Sequence, residues 1–134
     1  MPLVRIDLIA GRTETQVAAI SAAIQRALVE SLDVPERDQF QIVTEHPPGR
    51  LVFNPGYLGV DRSDGIVIVQ IILSAGRTVA QKQLFYARSA ALLADHAAVR
   101  PEDVVIVLTE NSREDWSFGQ GLAQYLVLPR EQWK

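Results

Sequence analysis

Three positions in this 134-residue chain carry groups suited to acid–base or anion chemistry: Pro2, Asp38 and Arg77. Arg77 lies in Ile66-Val-Ile-Val-Gln-Ile-Ile-Leu-Ser-Ala-Gly-Arg-Thr78, which reads as a buried strand, a glycine turn and the start of a helix. A guanidinium beside the N–H groups of a first helical turn makes a carboxylate-binding corner. Its other reading is a solvated arginine, as for Arg12 in the related stretch near the N-terminus. Pro2 bears a terminal secondary amine once Met1 is removed. An ordinary α-amine titrates at about 7.7–8.0. Burial and nearby cations lower that value, and a nearby carboxylate raises it. Such an amine serves as general base when neutral and general acid when protonated. With Met1 retained, the Pro2 nitrogen is an amide without useful basicity, and the proline merely starts a strand. Asp38 precedes a strand, where aspartate is commonly a turn residue. His46 and His96 lack a second ligand at useful spacing, so no metal is expected.

The elements that hold these residues come in two copies. Ala10-Gly11-Arg12-Thr13 recurs as Ala75-Gly76-Arg77-Thr78. Shifting the chain by 65 aligns residues 6–46 with 71–111 without a gap. Identities fall at Ile6, Leu8, Ala10, Gly11, Arg12, Thr13, Gln16, Ala22, Leu28, Val34, Asp38, Thr44 and Glu45, where roughly 2–3 would arise by chance. Two copies at this long a period indicate a duplicated unit, not a solenoid. In the first, Leu3–Ile9 alternates as a strand, and Thr13-Glu-Thr-Gln16 opens a helix with a capping box. Val17, Ile20, Ile24, Ala27 and Leu28 give that helix one apolar stripe, and Asp33-Val-Pro35 ends it. Gln39–Glu45 is a second strand. The second copy repeats this with strand Ile66–Leu73, a capping box at Thr78-Val-Ala-Gln81, a helix from about Val79 to His96, a break at Arg100-Pro101-Glu-Asp103, and strand Val104–Thr109. That last strand is nearly all apolar and is expected to be covered on both faces.

A strand–helix–strand unit within one sheet is parallel and right-handed. The expected fold is therefore α/β: one domain, residues 1–134, with two tandem β-α-β units (about 2–46 and 66–111) forming a four-stranded mixed sheet. Both helices lie on one face, and a tail spans 112–134. The linker from His46 is rich in turn residues, with room for an edge strand at Leu51–Phe53. Two helices cover only one sheet face, yet Ile66–Leu73 is apolar on both, so a homo-oligomer is expected. If the first and third strands were parallel, Pro2 and Arg77 would lie roughly 20–25 Å apart. They share a site within one chain only if the two units run antiparallel.

Bulk properties narrow the classes. The chain is large enough for a real core. A net charge of −3 supplies no basic footprint for nucleic acid. With no cysteine, disulfide scaffolds and thiolate metal sites are out. Arg5, Asp7 and Arg12 interrupt any signal-like apolar start, and the longest apolar run is too short to span a membrane, leaving the cytoplasm as the default.

Pro2 behind the initiator, the duplicated units, the Val34-Pro-x-Arg-Asp38 segment, Arg77 and Asp115-Trp-Ser-Phe-Gly119 together resemble the tautomerase superfamily, within it the malonate semialdehyde decarboxylase branch. The resemblance covers nearly the whole chain. It implies loss of Met1, a homotrimer with its sheets lining a barrel, internal pseudo-twofold symmetry, and cofactor-free chemistry on small oxo acids. It assigns Pro2 as the catalytic amine, Arg77 as the carboxylate grip, and Asp38 as the group that orients water or steadies the proline. Trp116, Phe118 and Tyr125 become an apolar wall around the substrate, or else tail residues packed on the core. The decarboxylases it resembles carry an Arg-Pro-Arg arrangement; here Ala75 stands in the first place. Decarboxylation or hydration is the first expectation, keto–enol tautomerisation of phenylpyruvate-like substrates the second. A ferredoxin-like small-molecule-binding module is the non-enzymatic alternative.

Overall fold

The computed structural model describes residues 1–134. Strand β1 (Pro2–Ile9) leads into helix α1 (Glu14–Leu32) and strand β2 (Gln41–His46); strand β3 (Val67–Ser74), helix α2 (Val79–Ala97) and strand β4 (Val104–Asn111) follow in the same layout. The sheet order is β2-β1-β3-β4. β1 pairs parallel with β2 and β3 parallel with β4, while β1 and β3 meet antiparallel at the centre. The two strands of each unit are direct neighbours, unlike the split arrangement of a ferredoxin-like sheet.

Local sequence explains the element ends. Thr13 and Thr78 both close capping boxes, with Gln16 and Gln81 reaching back to the cap backbone. Replacing Thr78 by alanine leaves the Gln81 amide unpaired and is expected to cost about 1 kcal/mol. Denaturant titration of Thr78→Ala against the parent would show this as a lower midpoint at unchanged slope. Gly76 has φ +129°, a conformation other residues rarely adopt, and turns β3 into α2. Asp33 and Ala98 end the helices in the left-handed conformation.

Alternation along the strands builds the core on one face. Val4, Ile6 and Leu8 of β1 and Val67, Val69, Ile71 and Leu73 of β3 are buried against Ile20, Ile24 and Leu28 of α1 and Phe85, Leu92 and Leu93 of α2. Each such side chain contributes about 1.5–3 kcal/mol by leaving water. The other face carries no helix. Ile42, Ile72 and Val107 are 41%, 39% and 50% exposed there.

Two expectations change. Leu51–Phe53 forms no strand: prolines bracket it at 47, 48 and 55, and Val52 projects outward, 87% exposed. β4 is not covered on both faces within the chain, because it is an edge strand with a helix on one side only.

Candidate active site

The register brings four chain segments to one end of the sheet. Pro2 pairs with Leu73, so the start of β1 lies beside the end of β3. Ser74 pairs with Asn111, and the Ala75 amide donates to the Asn111 carbonyl at 2.8 Å. The residues after β3 and after β4 therefore emerge side by side. Val4 N–H donates to the Phe40 carbonyl at 2.9 Å, which sets the segment before β2 next to the same corner.

There the N-terminal amine of Met1 lies 3.7 Å from Asp38 Oδ2, with both side chains less than a tenth exposed. Asp38 Oδ1 is buried and has no hydrogen-bond partner. Its backbone is fixed by Asp38 N–H to the Pro35 carbonyl, 3.0 Å, and by Gln25 Nε2 donating to the Asp38 carbonyl, 3.1 Å. Gln25 is a buried polar residue on α1, which the apolar stripe gave no reason to expect. Arg77 donates from Nη1 to the Ser74 carbonyl at 2.8 Å and from Nε to the Leu32 carbonyl at 3.3 Å. These bonds fix the guanidinium against the ends of β3 and α1 and leave Nη2 for a ligand. The first-turn amides of α2 are less available than expected, since Gln81 N–H is already spent on Thr78.

Charge and burial act together on this corner. Burial lowers the terminal amine below its ordinary value; Asp38 opposes that, while Arg77 and Arg113 add to it. Burial likewise pushes the Asp38 carboxyl up, against the pull of the amine and Arg77. The Tyr125 phenol is pushed up to about 12, first by burial and then by Asp38. Tyr125 therefore stays a hydrogen-bond donor at any working pH. Carbon-13 NMR of Cζ-labelled tyrosine should show one resonance unchanged to about pH 11, and Tyr125→Phe should delete it.

Two adjoining hollows of about 750 and 350 Å³ open here, with Arg77 lining the larger and Asp38 the smaller. Both are bordered by Met1 and Tyr125. Pro2, the next residue, is buried and lines neither hollow. The structure thus brings Pro2, Asp38, Arg77, Phe118 and Tyr125 to one place. Trp116 stands further back: it stacks on Phe118 at 5.6 Å and its Nε1 donates to Asn111 Oδ1 at 2.7 Å. Phe118 meets Tyr125 edge-on at 5.0 Å, and Tyr125 meets Trp133 at 4.7 Å, so the wall continues along the tail. Trp133 and Arg113 border the site and were not singled out from the sequence. The signal available for Arg113 was its place just past β4, beside the end of β3.

The duplicated counterpart of this corner is closed. Asp103, which matches Asp38, accepts from Ser63 N–H at 2.6 Å and from Ser63 Oγ at 2.7 Å. Arg12, which matches Arg77, is not simply solvated but donates to the Gly65 carbonyl at 2.7 Å. A Cβ at Gly65 would meet Asp103 Oδ2 at 3.1 Å and Ser63 Oγ at 3.2 Å, so the linker passes tightly against this cluster. Where the first unit has a chain terminus, the second has incoming chain.

Two families, each described as a tautomerase enzyme, match residues 38–119 and 2–61. The chain is 37% identical over 126 residues to the probable tautomerase YusQ of Bacillus subtilis (strain 168), covering 94% of this chain and 99% of that one. The structure of malonate semialdehyde decarboxylase is similar at 37% identity and TM-score 0.89, over 93% of this chain and 96% of that one. FG41 malonate semialdehyde decarboxylase, inhibited by 3-bromopropiolate, is similar at 44% identity and TM-score 0.88, over 93% and 95%. A symmetric fused 4-OT trimer shares the fold at 22% identity and TM-score 0.77, over 95% of this chain and 99% of that one. The chain belongs to the tautomerase superfamily, in its malonate semialdehyde decarboxylase-like branch.

Proposed function

We propose that the processed chain is a cofactor-free enzyme that decarboxylates a small β-oxo acid, using the Pro2 amine. The observation that carries this reading is the meeting of terminal amine, Asp38 carboxylate and Arg77 guanidinium in one largely desolvated corner. Removal of Met1 turns the Pro2 nitrogen into a secondary amine within one residue of the present amine. Protonated Pro2 donates to the β-carbonyl oxygen, and Arg77 Nη2 holds the carboxylate. The bond between the carboxylate carbon and the α-carbon breaks, its electron pair passes into the enol, and neutral carbon dioxide leaves. A proton then returns to the α-carbon to give the aldehyde. The Phe118–Tyr125 wall excludes water from the carboxylate, which favours its conversion to a neutral product. Asp38 Oδ1, an acceptor without a partner, steadies the prolinium or positions a water for hydration.

Keto–enol tautomerisation is the second reading. It is favoured by the burial that lowers the terminal amine, because a neutral proline is a base.

The exposed apolar sheet face supports a homotrimer, as the fused 4-OT neighbour is described. Sedimentation equilibrium should give about three times the 14.8 kDa chain mass. A monomer at micromolar concentration would remove this part.

The test of activity is proton NMR of processed protein with malonate semialdehyde and, separately, with phenylenolpyruvate. Acetaldehyde formation supports the first reading, faster ketonisation alone the second, and neither outcome in either assay removes both.

A further inference from the structure

We infer that Arg113 is a second substrate-binding guanidinium, which grips the carboxylate together with Arg77 across the space above Ala75. The inference rests on the oxo-acid reading above and adds a residue to its binding machinery. Parallel pairing of β3 and β4 carries the argument. With Ser74 opposite Asn111, the segments Ala75–Arg77 and Ser112–Arg113 leave the sheet as neighbours. A groove of about 270 Å³ lies between them, lined by Ala75, Gly76, Arg77, Gln81, Asp33 and Arg113 among others. The methyl group of Ala75 fills little of it.

Arg113 is held in place but not used. Ser112 N–H bonds to Asp115 Oδ2 at 2.8 Å and closes the turn that carries Arg113. The guanidinium carbon sits 5.1 Å from the centroid of the Trp133 ring, a cation–π contact that fixes the plane without consuming its N–H donors. Arg113 has no carboxylate partner within the chain, and neither does Arg77. Asp33 borders the same groove yet pairs with neither. Two guanidinium groups without carboxylate partners border one groove, and a bound carboxylate can accept from both. Arg113 is exposed at the rim, yet it lines both this groove and the larger hollow, close enough for its charge to favour the neutral form of the terminal amine and oppose the rise of the Tyr125 phenol. Arg130, its guanidinium carbon 5.8 Å from the Trp133 ring centroid, lines the larger hollow but not this groove.

The test uses the processed full-length chain with Arg113→Gln, Arg113→Lys and the double variant Arg113→Gln/Ala75→Arg. The probe is malonate, with malonamide as the neutral control, and binding is read by tryptophan fluorescence. Arg113→Gln is expected to weaken malonate about 10–100-fold and leave malonamide unchanged. Arg113→Lys should recover part of the loss, and the added Ala75→Arg guanidinium should recover more. Where the parent turns over a β-oxo acid, KM should rise by the same factor with kcat nearly constant. Malonate affinity equal to the parent's in Arg113→Gln overturns the inference, whatever the activity. Absence of turnover in the parent with the malonate loss intact overturns the decarboxylase reading and spares the carboxylate grip. Circular dichroism of each variant separates binding loss from unfolding.

Discussion

A chain that keeps any residue ahead of Pro2, whether Met1 or a tag remnant, is expected to lose about 10²–10⁴-fold of its activity. The reason is covalent. An amide nitrogen has its lone pair delocalised into the carbonyl and does not accept a proton, and the prolyl amide has no N–H to give. Retained Met1 also lines both hollows and sits less than a tenth exposed beside Asp38, so it occupies the corner sterically. Intact mass of each preparation, measured beside its steady-state rate, should show activity rising in proportion to the fraction that begins at Pro2. Equal rates for blocked and processed chains would place the chemistry elsewhere.

Arg77→Ala is expected to lower kcat/KM by about 30- to 5,000-fold, a loss of about 2–5 kcal/mol of transition-state stabilisation, because it removes a partly buried cation from a bound carboxylate. KM should bear much of the loss and kcat some of it, since the carboxylate changes charge as the bond breaks. The side chain also satisfies the Leu32 and Ser74 carbonyls, so the variant loses about 1–2 kcal/mol of stability as well. Arg77→Lys keeps the charge but not the two-sided geometry, and should fall between the two. A melting curve on each variant keeps the stability loss apart from the kinetic one. Full activity in a folded Arg77→Ala protein would contradict the proposed role.

Much of the fold could be read from the chain because its signals are local. The Thr–x–x–Gln boxes at Thr13 and Thr78 depend on residues three apart, and both form as read. The alternation of Val4, Ile6 and Leu8 marks a sheet face without knowledge of any partner strand. The antiparallel meeting of β1 and β3 was reached less directly, from the demand that Pro2 and Arg77 share a corner, and the register supplies it. Other features are products of register and of long loops, which no short window contains. Arg113 borders this corner because Ser74 pairs with Asn111, 37 positions further along the chain. Gln25 reads as a polar break in a helix stripe, yet it holds the turn carrying Asp38. Arg12 reads as solvated because its partner, the Gly65 carbonyl, belongs to the linker. Leu51–Phe53 has strand-like residues, but the prolines at 47, 48 and 55 that bracket it keep it off the sheet.

The most direct measurement is a nitrogen-15 titration of Pro2 in the processed chain, repeated in Arg77→Ala and Asp38→Asn. Arg77 lowers the terminal amine and Asp38 raises it. The amine should therefore titrate at higher pH in Arg77→Ala and at lower pH in Asp38→Asn, each against the parent. A Pro2 nitrogen whose midpoint ignores both substitutions would lie outside the corner that these side chains define, and the proposed chemistry would have no centre.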